Sequence, residues 1–153
     1  MSAQPAEIIE APAPVEEITV HETPTRHFLT GKMMLIPAVQ DALAKAMAYE
    51  GKLSEHVLNM EGMSGRKYRY FINNLIANVQ NPRYLEVGSW AGSTLCSAIY
   101  GNDVTATAID NWSQFGGPSN MFFYNVSQSC SATTRLSVLN KDFRQVDYPS
   151  LGR

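Results

Sequence analysis

From Tyr84 onward the apolar residues change period, and that change constrains the fold more than any other feature of the chain. Tyr84-Leu85-Glu86-Val87 reads as a short strand ending at Gly88. Ser93 to Tyr100 (STLCSAIY) reads as a helix closed by Gly101-Asn102. Val104 to Ile109 (VTATAI) is rich in β-branched residues and ends at Asp110, which predicts a second strand. Residues 111–120 form a loop. Met121 to Cys130 then predicts a helix with Phe122, Phe123 and Val126 inward, and Leu136 to Leu139 a third strand running into Asn140-Lys141-Asp142-Phe143. Strands that alternate with helices are parallel and joined by right-handed crossovers. The expected class is therefore α/β, with the order βαβαβ.

Helices are expected before the first strand, over residues 33–82. Pro37 suits a first helical turn, and Val39, Leu43, Ala46, Met47 and Glu50 then follow one side until Gly51. Residues 52–60 predict a short helix or turn, with His56 at the surface. Ser64 is placed as an N-cap. After it Tyr68, Phe71, Ile72, Leu75, Ile76 and Val79 form a continuous apolar stripe at helical spacing, stopped by Asn81-Pro82. Arg66, Lys67 and Arg69 are read as a solvated face.

Charge separates these helices from what precedes them. Residues 1–25 carry five acids and no Lys or Arg, and they hold Pro5, Pro12, Pro14 and Pro24. Such a stretch is expected to be extended and solvated, and residues 1–32 are read as a disordered acidic tail. Residues 26–153 then hold nine acids against twelve bases, a balance of +3. A net charge of −2 over 153 residues removes the broad electrostatic case for nucleic acid. No apolar run approaches the ~20 residues that span a bilayer. Cys96 and Cys130 read as reduced thiols in a cytoplasmic setting rather than a disulfide framework. No zinc pattern, P-loop or Ser-His-Asp signature is present, so no metal-ligating residue is assigned.

In an open parallel sheet, ligands bind beyond the carboxyl ends of the strands. Each of the expected ends carries an acid: Glu86, Asp110 and Asp142. The first leads into Gly88-Ser89-Trp90-Ala91-Gly92, where glycine lets the backbone approach a ligand closely. The helix start near Ser93 and Thr94 favours an anion. Asp110 falls where an acid would accept from a ribose diol. This is the layout of a Rossmann-like adenosine site. Trp90, however, occupies the middle glycine position of the dinucleotide fingerprint, and Glu86 stands just before it. A pyrophosphate would meet an indole and a negative charge. A ligand with an ammonium and a sulfonium would instead gain from Glu86, and S-adenosylmethionine carries both.

YLEVGSWAGSTLCSAI resembles the first motif of class I S-adenosylmethionine-dependent methyltransferases, in the variant with an aromatic at the middle glycine, as in the catechol O-methyltransferase-like and related small-molecule branches. NMEGMSGRKYRYFINNL is similar to the helix those enzymes carry before their first strand, ATAIDNW to their second motif, and NKDF to their third. The resemblance covers residues 60–147. It implies cofactor contacts from Met63 and Ser64, from Glu86, Gly88, Ser89, Trp90, Gly92 and Thr94 around the first turn, and from Asp110 to the ribose. It places Asn111 or Trp112 beside the adenine, Asp142 on the adenine amino group and Phe143 next to it. It also implies methyl transfer to a small-molecule acceptor.

The family's sheet has seven strands and this chain predicts three, so the fold is expected to be truncated after the third strand, with the chain the N-terminal part of a longer protein. The catalytic residues would then lie beyond Arg153, and none is assigned. Two other readings remain open: a module for NAD(P) or another adenine nucleotide, and a non-catalytic binding fragment whose acidic tail docks a partner.

Overall fold

A computed structural model describes residues 28–151, with side chains from Leu35 onward. Helix α1 spans Phe28–Met47, α2 Glu55–Leu58 and α3 Arg66–Ala77; strand β1 covers Arg83–Val87, α4 Ser93–Ile99, β2 Thr105–Asp110, α5 Ser119–Ser129 and β3 Arg135–Asn140. Two 3-10 turns follow, at Phe143–Gln145 and Tyr148–Leu151. The strands form one parallel sheet in the order β1-β2-β3. The expected Rossmann-like βαβαβ arrangement is present, with its boundaries displaced by no more than a residue or two.

Register explains how the core is built. Tyr84, Ala106 and Leu136 align across the strands, as do Glu86, Ala108 and Val138. This row faces α4 and α5, which pack against each other on one side of the sheet. The β2 residues are small, so Leu95, Ile99 and Phe122 seat closely over them and are fully buried. The opposite row holds Leu85, Thr107 and Ser137, then Val87, Ile109 and Leu139. Leu85 and Val87 are about half exposed there, at 48% and 46%.

The N-terminal helices depart from the expected pattern in three places. First, α1 begins at Phe28, so Pro37 lies inside it and residues 28–32 belong to a helix rather than to a tail. A proline in a helix removes one hydrogen bond, and the packing of α1 on α3 outweighs that loss. The acidic segment 1–25 lies outside the described residues. Second, the N-cap of α3 is Gly65, which has no side chain to bond, and the Ser64 hydroxyl accepts from Arg69 and Thr94 instead. Third, α3 keeps Phe71, Ile72 and Ile76 of its apolar stripe against the core but turns polar residues inward beside them. Its buried residues are Arg69, Tyr70, Asn73, Asn74 and Ile76, while Tyr68 is 51% exposed.

The side-chain donors on this buried face find specific partners, which is the condition for burying them, while Asn73 Oδ1 has none. Asn73 Nδ2 donates to the carbonyls of Ser97 at 2.8 Å and Tyr100 at 2.9 Å, and Asn74 Nδ2 to that of Glu50 at 2.8 Å. Asn102 returns the link, donating to the carbonyls of Asn73 at 3.0 Å and Ala98 at 2.9 Å. These bonds fasten α3 to α4 and so fix the helix that precedes the sheet against the turn that follows β1.

Candidate functional site

Glu86, Gly88 and Asp110 meet at the carboxyl ends of β1 and β2. Glu86 pairs in register with Ala108, so Asp110 lies one step further along the same face. The Glu86 side chain is turned toward the helices, where the Tyr84 hydroxyl donates to Oε2 at 2.7 Å. Burial pushes its carboxyl up to about 7, against the opposing pull of that hydrogen bond. Sequence reasoning passed over Tyr84 here, although two residues apart on a strand share a face.

Gly88 turns the chain with φ +80, and a Cβ there would meet nothing within 4 Å. Gly92 also has φ +82, but a Cβ there would press to 2.9 Å from Phe122 Cδ2. The two glycines of the turn thus serve different ends: Gly88 borders open space, and Gly92 permits packing. Between them, Ser89 Oγ is buried beside Glu86, close enough to favour its charged form, yet makes no hydrogen bond of ordinary geometry.

Asp110 binds both loops at once. Oδ2 accepts from Trp90 N at 2.8 Å and Oδ1 from Trp112 N at 2.7 Å. The indoles continue the link: Trp112 Nε1 donates to Trp90 O at 2.8 Å, and Trp90 Nε1 to Phe115 O at 2.9 Å. Trp90, Trp112 and Phe115 all have positive φ, at 48°, 49° and 52°. Bulky residues adopt that conformation only where the surroundings impose it. Trp112 also packs on Phe122 and Phe123, with ring centroids 5.1 and 5.8 Å away. Its ring is thereby committed to the cluster above α5. Asn111 is exposed and accepts from Ser113 N and Oγ.

The segment before α3 reaches the same place. Thr94 Oγ1 donates to Ser64 Oγ at 3.3 Å, and the backbone of Gly62 lies so close to Ser93 that a Cβ on it would overlap the serine side chain. Met63 beside them is fully exposed. Arg69, expected on a solvated face, is instead 3% exposed and holds this segment through its guanidinium. No pattern of charge or spacing in the sequence marks it, because only the packing of α3 turns it inward.

Asp142 and Phe143 stand apart from this group. Asp142 caps the first 3-10 turn by accepting from Arg144 N at 2.9 Å, and it pairs with the Arg144 guanidinium. These bonds hold its carboxyl down at about 2. Phe143 is 53% exposed, with the Arg144 guanidinium 6.0 Å over its ring.

Two clefts lie elsewhere. One of about 260 Å³ sits at the amino ends of the strands, between Pro82, Asp103 and Arg135. One of about 210 Å³ lies on the open face under Tyr148 and Leu151. Neither contains an acid from the carboxyl ends. Among the described residues no cluster of three or more His, Cys, Asp or Glu could hold a metal ion, and no helix is long and apolar enough to cross a membrane. Comparison with protein-family models, with curated proteins and with solved structures gives no match.

Proposed function

We propose that the protein is an S-adenosylmethionine-dependent methyltransferase of class I and that the described residues form its cofactor-binding part. One observation carries this reading. An acid at the end of β1 and another at the end of β2 flank a turn in which Gly88 opens onto unfilled space. The residues fit the group: Ser89 Oγ is buried beside Glu86 at this turn, so the two form a polar lining next to the open space at Gly88. Trp90 stands where a dinucleotide fingerprint has glycine, and its backbone N–H is already given to Asp110 and its indole N–H to Phe115 rather than left for a pyrophosphate, which disfavours NAD(P).

When bound, the cofactor supplies an electrophilic methyl group on its sulfonium. Glu86 would hold the positive methionine end through its carboxylate, in the ionised form that such a cation favours. Asp110 offers its remaining lone pairs to the ribose hydroxyls, since each oxygen carries one backbone donor and retains acceptor capacity. Methyl transfer to a small-molecule acceptor would then be an in-line displacement at the sulfonium, to which these residues would contribute by positioning the cofactor.

Calorimetric titration with S-adenosylhomocysteine and with NAD tests the proposal. Binding of S-adenosylhomocysteine and not of NAD is expected. Binding of NAD alone would move the assignment to a nucleotide-binding module, and binding of neither would favour a non-catalytic fragment.

A further inference from the structure

Helix α1 packs on α3 along one side only. Ala42 and Ala46 are buried there, and the Ala38 carbonyl accepts from Asn78 Nδ2 at 3.1 Å just past the end of α3. Beside this contact runs a second, uncovered row. Ile36, Leu43 and Met47 are each more than half exposed, Val39 is exposed next to them, and Gln40 is exposed among them. Their spacing of three and four residues places them on one flank of the helix. A helix gains most of its stability from packing an apolar face, and this face packs on nothing in the chain described.

Charge and hydrogen bonding narrow what covers it. From Leu35 to the end of α1 the charged residues are Asp41 and Lys45. They lie on the other flank, 2.7 Å apart, and Asp41 also accepts from Asn78 Nδ2 at 2.8 Å. The apolar row thus offers no charge to an acidic or basic peptide. It also lacks the fringe of Lys and Arg that draws a surface helix to anionic lipid. Gln40 selects further. An amide that becomes buried needs a partner that both donates and accepts, and a second Gln40 is such a partner. A two-fold axis crossing α1 between Val39 and Gln40 brings two Gln40 residues together and sets Ile36 of one copy against Leu43 of the other. This antiparallel arrangement also keeps the amino ends of the two helices apart, each of which follows a segment with five acids and no base. A parallel pair would bring those like charges together. We propose that the protein forms a two-fold dimer through antiparallel contact of α1 with α1 of a second copy. The proposal is independent of the methyltransferase reading.

Sedimentation equilibrium of the 153-residue chain tests it. A row of three to four helical turns is a small interface, so a dissociation constant on the order of 10–100 µM is expected. Ile36→Glu and Leu43→Lys should each weaken the dimer about 30-fold or more, because each variant dimer loses apolar burial and faces a charge with an apolar side chain. Mixed in equal amounts, the two variants should pair again. In the antiparallel arrangement the new acid of one faces the new base of the other, and the untouched Leu43 and Ile36 meet as in the parent. In a parallel arrangement each new charge would face an apolar residue, and mixing would restore nothing. Gln40→Glu should weaken the dimer about tenfold at pH 7 by setting two carboxylates against each other. Circular dichroism of each variant should match the parent, since all three sites are exposed in the single chain. A parent that stays monomeric up to about 300 µM, well above the expected constant, overturns the proposal. So do folded variants that associate as the parent does, and a mixture that associates no better than its components. Should either charged variant misfold, an unchanged dimer in Gln40→Glu still overturns it.

Discussion

At the ends of β1 and β2 the loops are bonded to each other, whereas at the end of β3 the loop is bonded to itself. Asp110 closes β2 and Asp142 lies two residues beyond the end of β3, each an acid at the carboxyl end of a parallel strand. Asp110 divides its carboxylate between Trp90 N and Trp112 N, twenty residues back and two residues on. Asp142 spends its carboxylate on Arg144, through both backbone and side chain. An acid that joins two strand ends organises the space between them. An acid that closes its own turn organises only that turn. Position in the topology marks where a ligand can bind, and the partners decide whether the residue helps to shape the site.

The largest expected effect comes from Asp110→Ala. It removes two hydrogen bonds to a charged acceptor, worth about 1.5–3 kcal/mol each at full strength. A loss of about 3 kcal/mol in urea unfolding is expected, together with weaker S-adenosylhomocysteine binding. A change below 0.5 kcal/mol, on the order of an ordinary surface substitution, would make Asp110 no different from Asp142 and would break the comparison.

Gly88→Val should cost about 1–2 kcal/mol, the scale of holding a non-glycine residue at positive φ. No packing penalty adds to it, because a Cβ at Gly88 meets open space. The same substitution should abolish cofactor binding. Circular dichroism and titration of one sample separate the two effects. Retained affinity would place the ligand away from this turn.

Glu86 sets a pH dependence. Its carboxyl is pushed up to about 7 from an ordinary 4.5. Between those values the folded chain keeps the proton and the unfolded chain releases it. Stability contributed by this group is therefore full at low pH and falls as pH rises through the window, by at most about 1.4 kcal/mol per pH unit. Glu86→Gln should flatten that slope in denaturation followed from pH 4.5 to 7. Binding of the cationic cofactor should run the other way, tightening as Glu86 ionises.

The smallest effect is expected for Asp142→Asn. Its carboxylate is held down at about 2 by an exposed arginine, and an exposed pair of this kind contributes little. The melting temperature at pH 7 should not move measurably. A fall as large as that of Asp110→Ala would show that the third loop is tied into the site after all.

The sheet was legible because its signals are local. A β-branched run, a glycine turn and a short helix each announce themselves within a few residues, and Asp110 with Trp112 is a two-residue turn bond of the kind aspartate favours. The bond from Asp110 to Trp90 was not legible, since it depends on which strands are neighbours. The helix α3 was misread in part for a related reason. Its apolar stripe placed Phe71, Ile72 and Ile76 against the core correctly, but Asn73, Asn74 and Arg69 are buried beside them, each matched to carbonyls on other segments. A polar residue gives no sign in sequence that a partner waits for it. Ser64 had the composition of a cap, and its hydroxyl is taken by Arg69 and Thr94.

The bonds among Trp90, Trp112, Asp110 and Phe115 also bear on motion. Drawing the loop after β1 away from the loop after β2 would break the Trp90 amide bond, both indole bonds and their shared anchorage at one carboxylate. The two loops therefore behave as a single rigid jaw on slow timescales, and their amides should open together as one cooperative unit rather than as separate flaps.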